Sequence, residues 1–423
     1  MIPSAAGGAA AGDHAAAGAG TTDAPAAGDR LTELLERRTG ANERFFGAEA
    51  DRIARLCHRM AERFARGGRL VAFGRSPQAR SDVRHVAVEF VHPVIVGKRA
   101  LPAIGLSSEG GPLGPQVELV VRPGDIAMAF GADEDGGEAT SALACARERG
   151  CLTIAFSACG AEWEFLPPSE DPLVRQELAE TLYHLLWELV HVFFDHRGLL
   201  EGRTARRTHD SGASSFLYPF LAEEQHDLES VVAAVSSSAL MKAEEVAELR
   251  AHTLLEGREE LMGAAAALRA CFDAGGTLLA MGNGGSATDA MDAVADFRRP
   301  PPGSGWAPRP VLDLTEDSAI LTAIVNDIGA DAIFSRQIIA YGGEGDAVLA
   351  ISTSGNSGNV IRALEEARRR GLLTVALVGY DGGRVADEGL ADHVVVTRSE
   401  HIPRIQEAQA SAYHVLRELV EVF

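Results

Sequence analysis

The sequence predicts an α/β protein in which two doubly wound, mostly parallel sheets follow one another in tandem, with helical extensions. Short apolar runs typical of buried strands alternate with amphipathic helical stretches, which is the pattern of a parallel sheet covered by helices on both faces. The pattern also repeats, because residues 60–74 match 268–282 in register and residues 149–156 match 370–377. We therefore expect two copies of one domain, the first of which has diverged.

Four segments are expected along the chain. Residues 1–28 are of low complexity and rich in Ala and Gly, so they cannot bury enough apolar surface to fold and should be disordered. Residues 29–196 form the first domain. Residues 197–215, basic and then small and polar, are the expected linker. Residues 216–423 form the second domain, which begins with helices that break near 252–257.

Composition limits the partners that the chain can bind. Its formal net charge of −21 argues against nonspecific binding to nucleic acid and to anionic membranes. No run approaches the roughly 20 apolar residues of a membrane span, and the N-terminus lacks the basic start and apolar core of a signal peptide. The five cysteines include no Cys-x-x-Cys pair and are interpreted as buried free thiols of a cytoplasmic protein.

Two polar turns in the second domain are candidate anion sites. The first, Gly282-Asn-Gly-Gly-Ser286, follows an apolar strand and precedes a helix. Its glycines let the backbone approach a ligand, and Ser286 can cap the helix and donate its hydroxyl. The second turn follows the strand at 346–351, and its hydroxyl groups suit a phosphate monoester without any fixed positive charge. Those hydroxyl residues are Ser352, Thr353, Ser354 and Ser357.

These turns resemble the sugar isomerase (SIS) domain, and most closely the phosphoheptose isomerase family. Further matching motifs are Asn326-Asp327, Ile333-Phe-Ser-Arg336 and Arg404-Ile-Gln-Glu407 with His414, so the resemblance covers roughly residues 223–423. It implies an aldose–ketose isomerase of heptose biosynthesis that converts sedoheptulose 7-phosphate, or a related sugar phosphate, through an enediol(ate) without a nucleotide cofactor. By this resemblance, the phosphate and substrate residues are Asn283, Gly284, Gly285, Ser286, Asp327, Ser352, Thr353, Ser354 and Ser357.

The resemblance also implies a divalent metal, which is zinc in characterised members. It is surrounded there by a His and a Glu four residues apart and by a Gln and a His eight residues apart. In the second domain these metal positions are Asp292, Asp296, Gln406 and His414. Asp296 and His414 stand where the family has its catalytic Glu and His. Asp292 in place of a His shifts the preference toward a harder ion such as manganese or magnesium.

The first domain has lost the phosphate turns but keeps the metal positions. Its phosphate turns are replaced by Arg75-Ser-Pro-Gln78 and by the acidic stretch 131–137. It nevertheless keeps all four metal positions, which form a second candidate metal site at His85, Glu89, Gln176 and His184. Residues eight apart on a continuous helix lie about 12 Å apart along its axis. A Gln and a His so spaced can meet one metal only if the helix is interrupted, or if two chains or two repeats share the site.

Two other functions stay open on the sequence. The acid substitutions and the diverged first domain also fit a non-catalytic module that binds a sugar phosphate or a partner protein. The residues of the first domain alone would fit a metal-handling accessory protein. Single-domain relatives assemble as tetramers, so the tandem chain is expected to form a homodimer with four domains.

Overall fold

Two five-stranded sheets, one in each half of the chain, organise this computed structural model. The described residues are 24–94, 98–107, 111–132, 136–196, 199–200 and 227–423. The strands are β1 (Leu70–Phe73), β2 (Ala103–Leu106), β3 (Ile126–Ala129), β4 (Leu152–Ala155), β5 (Trp163–Glu164), β6 (Leu278–Met281), β7 (Val311–Asp313), β8 (Ala347–Ser352), β9 (Leu373–Gly379) and β10 (His393–Thr397).

Both sheets have the same topology. The first has the strand order β2-β1-β3-β4-β5 and the second β7-β6-β8-β9-β10, and every pair is parallel. All residues of β1, β3, β4, β6 and β8 are buried, as expected where helices cover both faces of a parallel sheet. The predicted α/β fold with two parallel sheets is confirmed.

Helices surround the sheets and join the halves. They are α1 (Ala24–Ala65), α2 (Pro77–Val91), α3 (Leu113–Val120), α4 (Glu138–Glu148), α5 (Pro172–Asp195), α6 (Leu228–Glu256), α7 (Arg258–Asp273), α8 (Gly285–Arg298), α9 (Ser318–Asp327), α10 (Ile333–Tyr341), α11 (Gly358–Arg369), α12 (Gly383–Asp387) and α13 (Ile402–Leu419). The break predicted near 252–257 is confirmed, because Gly257 separates α6 from α7.

Two predicted segments fall largely outside the described residues. These are the tail as far as residue 23 and the linker at 197–215 apart from residues 199–200. Helix α1 begins at Ala24, so it starts inside the segment that was expected to be tail. In the described part of the chain, no helix is both long and apolar enough to cross a membrane. All five cysteines are free; Cys145 and Cys159 are only partly buried.

The interface between the halves is built from helices and is rich in buried charge. Helix α1 packs against α6, α2 against α8, and α5 against α13. Arg38 on α1 is buried and pairs with Glu177 on α5 at 2.9 Å and with Glu418 on α13 at 3.3 Å. Buried charges are stable only when they are paired, so these contacts fix how the halves meet.

Candidate active sites between the two halves

The two predicted phosphate turns of the second half, Gly282–Ser286 and Ser352–Ser357, lie side by side. Strands β6 and β8 are neighbours in the parallel sheet, so both turns leave the same edge. The side-chain amides of Asn283 and Asn359 exchange two hydrogen bonds of 2.9 Å, which tie the first turn to the start of α11. Gly284 has a φ of 58°, a conformation that favours glycine.

Hydroxyl groups and backbone N–H groups line this pair of turns. Ser286 and Ser352 are buried, and Ser352 Oγ accepts a hydrogen bond of 3.2 Å from the Gly355 N–H. Ser354 Oγ accepts from the Asn356 N–H at 3.2 Å. Ser357 precedes α11 and its hydroxyl forms no capping bond with the helix. The turns can therefore offer hydroxyl and N–H donors to a phosphate at the positive end of a helix.

Asp327, another predicted substrate residue, lies on the protein surface. It is the last residue of α9 and is exposed, and its Oδ1 accepts a 2.8 Å hydrogen bond from the neighbouring Asn326. Helix α9 has no buried residue in this structure.

A first cluster of metal-type ligands, the His85 cluster, joins both halves. It consists of His85 and Glu89 on α2, His184 on α5 and Gln406 on α13. His85 Nε2 lies 3.3 Å from His184 Nε2, 3.2 Å from the Gln406 amide nitrogen and 3.9 Å from Glu89 Oε1. All four side chains are buried.

The His85 cluster fits a divalent metal. Two imidazole nitrogens bound to one tetrahedral zinc at 2.0–2.1 Å are about 3.3 Å apart, which is the separation seen here between His85 and His184. Glu89 Oε2 and Gln406 Oε1 are buried and accept no hydrogen bond. Burial, and then His184, hold the pKa of His85 well below its usual value, so His85 is the neutral imidazole that a metal requires.

Carboxylates orient and extend this cluster. His184 Nδ1 lies 2.9 Å from Glu407 Oε1, so Nδ1 donates to the carboxylate and Nε2 faces His85. Glu180, one turn before His184 on α5, offers an oxygen within 4.8 Å of ligand atoms of both histidines. Its Oε1 is buried without a hydrogen bond, and burial, then Asp289, raise its pKa well above the usual value.

The phosphate turns of the second half lie against the His85 cluster. A Cβ atom added to Gly285 would be 1.7 Å from the Gln406 amide nitrogen and 3.0 Å from His85 Nε2. The second turn contacts α13, the helix that carries Gln406, because the Gln409 amide donates to the Ser352 carbonyl at 3.4 Å. The intact turns of one half therefore meet the intact metal positions of the other.

A second cluster, the His414 cluster, takes most of its residues from the second half and its Gln from the first. Asp292 and Asp296 on α8 and His414 on α13 come from the second half, and Gln176 on α5 comes from the first. His414 Nε2 lies 3.3 Å from Asp292 and 3.2 Å from Asp296, and the Gln176 amide donates to Asp292 at 2.8 Å. His414 Nδ1 lies 2.9 Å from Glu177.

The electrostatics of the His414 cluster differ from those of the His85 cluster. Burial alone would lower the pKa of His414, but hydrogen bonds to Asp292, Asp296 and Glu177 hold it well above its usual value. Both ring nitrogens then carry protons that point at carboxylates. The neighbouring carboxylates therefore favour the charged form of His414, whereas burial favours the neutral form of His85. Asp292, Asp296 and His414 nevertheless bring ligand atoms within 4.8 Å of one another, as His85, Glu180 and His184 do.

The structure corrects the grouping of the metal residues predicted from the sequence. Gln406 was grouped with Asp292, Asp296 and His414, but its amide contacts His85. Gln176 was grouped with His85, Glu89 and His184, but its amide contacts Asp292. The cause is helix geometry, since α5 and α13 run without interruption and place residues eight apart about 12 Å from one another. Of the arrangements left open, two repeats sharing each site is the one observed.

Three carboxylates of these clusters, Glu177, Glu180 and Glu407, are not among the site residues predicted from the sequence. Glu177 and Glu407 each follow a cluster Gln directly, and each contacts the His of the other half. The repeated Gln-Glu dipeptide was a signal for this pair. Glu180 stands four residues before His184, a spacing that shares one helix face. Nothing in the sequence showed that this face turns toward His85.

Comparisons with known proteins agree with the fold. The SIS domain model matches residues 243–379. The phosphoheptose isomerase of Geobacter sp. (strain M21) is 44% identical over 184 residues, which are 41% of this chain and 93% of that protein. The phosphoheptose isomerase of Trichlorobacter lovleyi is 45% identical over 154 residues, 36% of this chain and 75% of that protein.

Solved structures extend the likeness to the whole chain. The C-terminal domain of glucosamine-fructose-6-phosphate aminotransferase from Francisella tularensis has a TM-score of 0.54 at 8% identity and covers 96% of this chain and 97% of its own. The tagatose-6-phosphate ketose/aldose isomerase from Escherichia coli has a TM-score of 0.53 at 13% identity, covering 94% of each chain. At these identities the likeness shows the fold alone. The second half of the chain is the part that matches these relatives, and the chain therefore belongs to the phosphoheptose isomerase family.

Proposed function

We propose that the chain is an aldose–ketose isomerase that acts on sedoheptulose 7-phosphate or a related sugar phosphate, and that its one complete active site combines the phosphate turns with the His85 cluster. The observation that carries the proposal is the close approach of Gly285 to Gln406 and His85. In sequence, the intact turns and the intact metal positions belong to different domains. In space they are neighbours, so each half supplies what the other has lost.

The phosphate turns would hold the substrate by the end that does not react. Ser286, Ser352, Ser354 and Ser357 supply hydroxyl groups, and the start of α11 supplies N–H groups. Binding energy from a remote phosphate fixes the reacting carbons relative to the catalytic groups. In a chain with a net charge of −21, such local donors are needed to capture an anion.

Glu89 and His184 are the proposed proton-transfer residues. They occupy the positions that the resemblance gives to the catalytic Glu and His. Glu89 is buried and its Oε2 accepts no hydrogen bond, so a carboxylate oxygen is available to take a proton from a bound substrate. His184 is held by Glu407 with Nε2 directed into the site. This proposal moves the catalytic roles away from Asp296 and His414, whose carboxylate–imidazole contacts lie in the other cluster.

We further propose that His85, Glu89, His184 and Gln406 hold one divalent metal, with zinc as the expected ion. Nitrogen ligands from two histidines suit zinc, and the unpartnered Glu89 and Gln406 oxygens complete a set of four. When bound, the metal would polarise the substrate carbonyl as a Lewis acid. The protein residues supply the phosphate grip, the base and the orientation of the ligands.

The decisive experiment is turnover of sedoheptulose 7-phosphate by the full chain, with zinc, manganese or no added metal. Glu89→Gln should lower kcat by at least about a hundredfold, because it removes the proton acceptor. The matched variant in the other cluster, Asp296→Asn, should stay within about threefold of the parent. The reverse result would place catalysis in the His414 cluster.

The other functions suggested by the sequence have their own signatures in the same experiment. Heat stabilisation by sedoheptulose 7-phosphate without turnover would indicate a non-catalytic sugar-phosphate module. Metal binding without any response to the sugar phosphate would indicate a metal-handling protein.

Self-association as a homodimer is also proposed. The apolar residues Val325 and Ile328, at the end of α9, are 47% and 52% exposed. Apolar side chains gathered on one exposed helix are typical of a surface that another protein covers. Light scattering should give about twice the chain mass, and a particle of 44.6 kDa would contradict the proposal.

A further inference from the structure

A cavity of about 350 Å³, the arginine cavity, lies at the amino edge of the first sheet, where β1 and β3 begin and α1 ends. The phosphate turns, by contrast, leave the carboxyl edge of the second sheet. Four arginines and one carboxylate line the cavity, and these are Arg63, Arg66, Arg69, Arg122 and Asp125. Four positive charges against one negative charge give the lining a net charge of +3, in a chain whose net charge is −21.

Neighbouring carboxylates neutralise only part of this charge. Asp125 pairs with Arg69 at 2.6 Å and accepts from the backbone N–H groups of Arg69 and Arg122, both at 2.9 Å. On α1, Glu62 lies 3.8 Å from Arg66. These two carboxylates match two of the four arginines, so two positive charges are left over.

Arg63 and Arg122 carry the remaining charge. Among the described residues, neither guanidinium pairs with a carboxylate, and Arg63 donates to the Gly150 carbonyl at 3.2 Å. Arg63 is half-buried and Arg122 is exposed, so both side chains can turn toward a ligand. The backbone N–H groups of Gly67 and Gly68 already bond to carbonyl oxygens of α1. The guanidinium groups are therefore the donors that the cavity offers.

The second half shows that the fold does not require these arginines. Strands β3 and β8 occupy equivalent positions in the two sheets. The carboxylate is kept, because Asp346 accepts from the Thr277 N–H at 2.7 Å as its counterpart accepts from Arg69. Helix α7 ends at this place without a basic residue in its last turn, so the helix dipole does not demand one. The positions equivalent to the four arginines are Cys271, Ala274, Thr277 and Gly343.

We propose that the arginine cavity is a further anion site, which binds a small ligand through a phosphate group. Guanidinium groups hold phosphate oxygens in a bidentate geometry. A phosphate monoester carries about −1.5 to −2 charges at pH 7, which matches the two positive charges left over by Asp125 and Glu62. The volume lies at the lower end of the range for small-molecule sites. The proposal does not depend on the isomerase activity.

The test is calorimetric titration of the full chain with inorganic phosphate, pyrophosphate and sedoheptulose 7-phosphate at constant ionic strength. At least one probe should show binding that Ser354→Ala, in the phosphate turns, leaves unchanged. Arg63→Gln and Arg122→Gln should each weaken that binding at least about tenfold, because each removes a charge-assisted hydrogen bond to the ligand. The matched control is Arg55→Gln, which removes a charge about two turns earlier on α1, outside the cavity, and should have no effect.

The probes also distinguish the sources of the phosphate group. Tightest binding of pyrophosphate indicates a ligand with two adjacent phosphates, and tightest binding of sedoheptulose 7-phosphate indicates a phosphorylated sugar. Melting curves check that the variants are folded, as expected for side chains outside the core.

Three outcomes would overturn the inference. They are no probe binding at millimolar concentration that survives Ser354→Ala, unchanged binding in both Arg63→Gln and Arg122→Gln, and an equal loss of binding in Arg55→Gln. Turnover of sedoheptulose 7-phosphate by the same preparations reports on the active site separately. Turnover without binding at the arginine cavity refutes this inference alone, and binding that is lost in Arg63→Gln, in a chain without turnover, refutes only the isomerase.

Discussion

Each of the two clusters takes its Gln from the other half of the chain, and this arrangement leads to a prediction about metal binding. Gln406 belongs to the half whose other metal positions are substituted, yet its amide lies 3.2 Å from His85 Nε2. We expect Gln406→Ala to weaken zinc binding, because it removes a buried ligand oxygen that has no other partner. Gln176→Ala should leave zinc affinity unchanged, because its amide bonds Asp292 in the other cluster.

The size of the effect follows from the position of Gln406 at the cluster. Loss of a group that only supports a metal ligand typically costs 10–100-fold in affinity, so loss of a direct ligand should cost at least about a hundredfold. That factor corresponds to about 2.7 kcal/mol, at 1.36 kcal/mol for each tenfold. The Gln176 variant is a fair control, because both side chains are buried, both lie near the start of a long helix and both precede a Glu.

The assay is a zinc titration of the full chain against a chromogenic chelator, followed by turnover at saturating zinc. Melting curves confirm that both variants are folded. If Gln176→Ala weakens zinc binding as much as Gln406→Ala does, the pairing across the halves is wrong and each half holds its own metal.

Three further predictions follow from the structure. Ser354→Ala should weaken sugar-phosphate binding by about 1.5–3 kcal/mol, the worth of one hydrogen bond to a charged group, and an unchanged affinity by titration would remove the phosphate turns from the site. Metal analysis of the purified chain should find about one zinc per chain, because the His414 ring nitrogens already point at carboxylates; two per chain would contradict this. Burial raises the pKa of Glu188, but the neighbouring Arg404 and Lys242 outweigh burial and hold the pKa at about 2. The ion pairs of Glu188 with these two residues should therefore contribute stability above about pH 4.5, and this stability should be lost as the pH falls toward 2. Glu188→Gln should flatten that acid limb of the melting temperature, and a limb that it leaves unchanged would show that other carboxylates govern acid unfolding.

The sequence could predict the fold because the information is local. Buried runs such as 278–281 and 347–352, the glycines of the first turn and the repeated segments each indicate one structural unit without reference to the rest of the chain. The resemblance could also single out His85, Glu89 and His184, which keep the family spacing and lie together in the structure.

The assembly of the sites could not be predicted, because it depends on how two helices cross. The Gln–His spacing on α5 is the same as that on α13, so the sequence could not show which Gln faces which His. Glu180 was missed for the same reason, since a buried carboxylate on a long apolar helix gives no sign of its neighbour across an interface.

The covalent joining of the two halves has an evolutionary consequence. In an assembly of identical subunits, each substitution enters every active site at once, so a residue cannot be lost from one site and kept in another. In this chain, Asp292 can replace a histidine without touching the site that retains His85. Because the two halves have separate positions in one chain, each half could lose residues that the other half retains. Natural selection could then shape the two clusters separately within one gene.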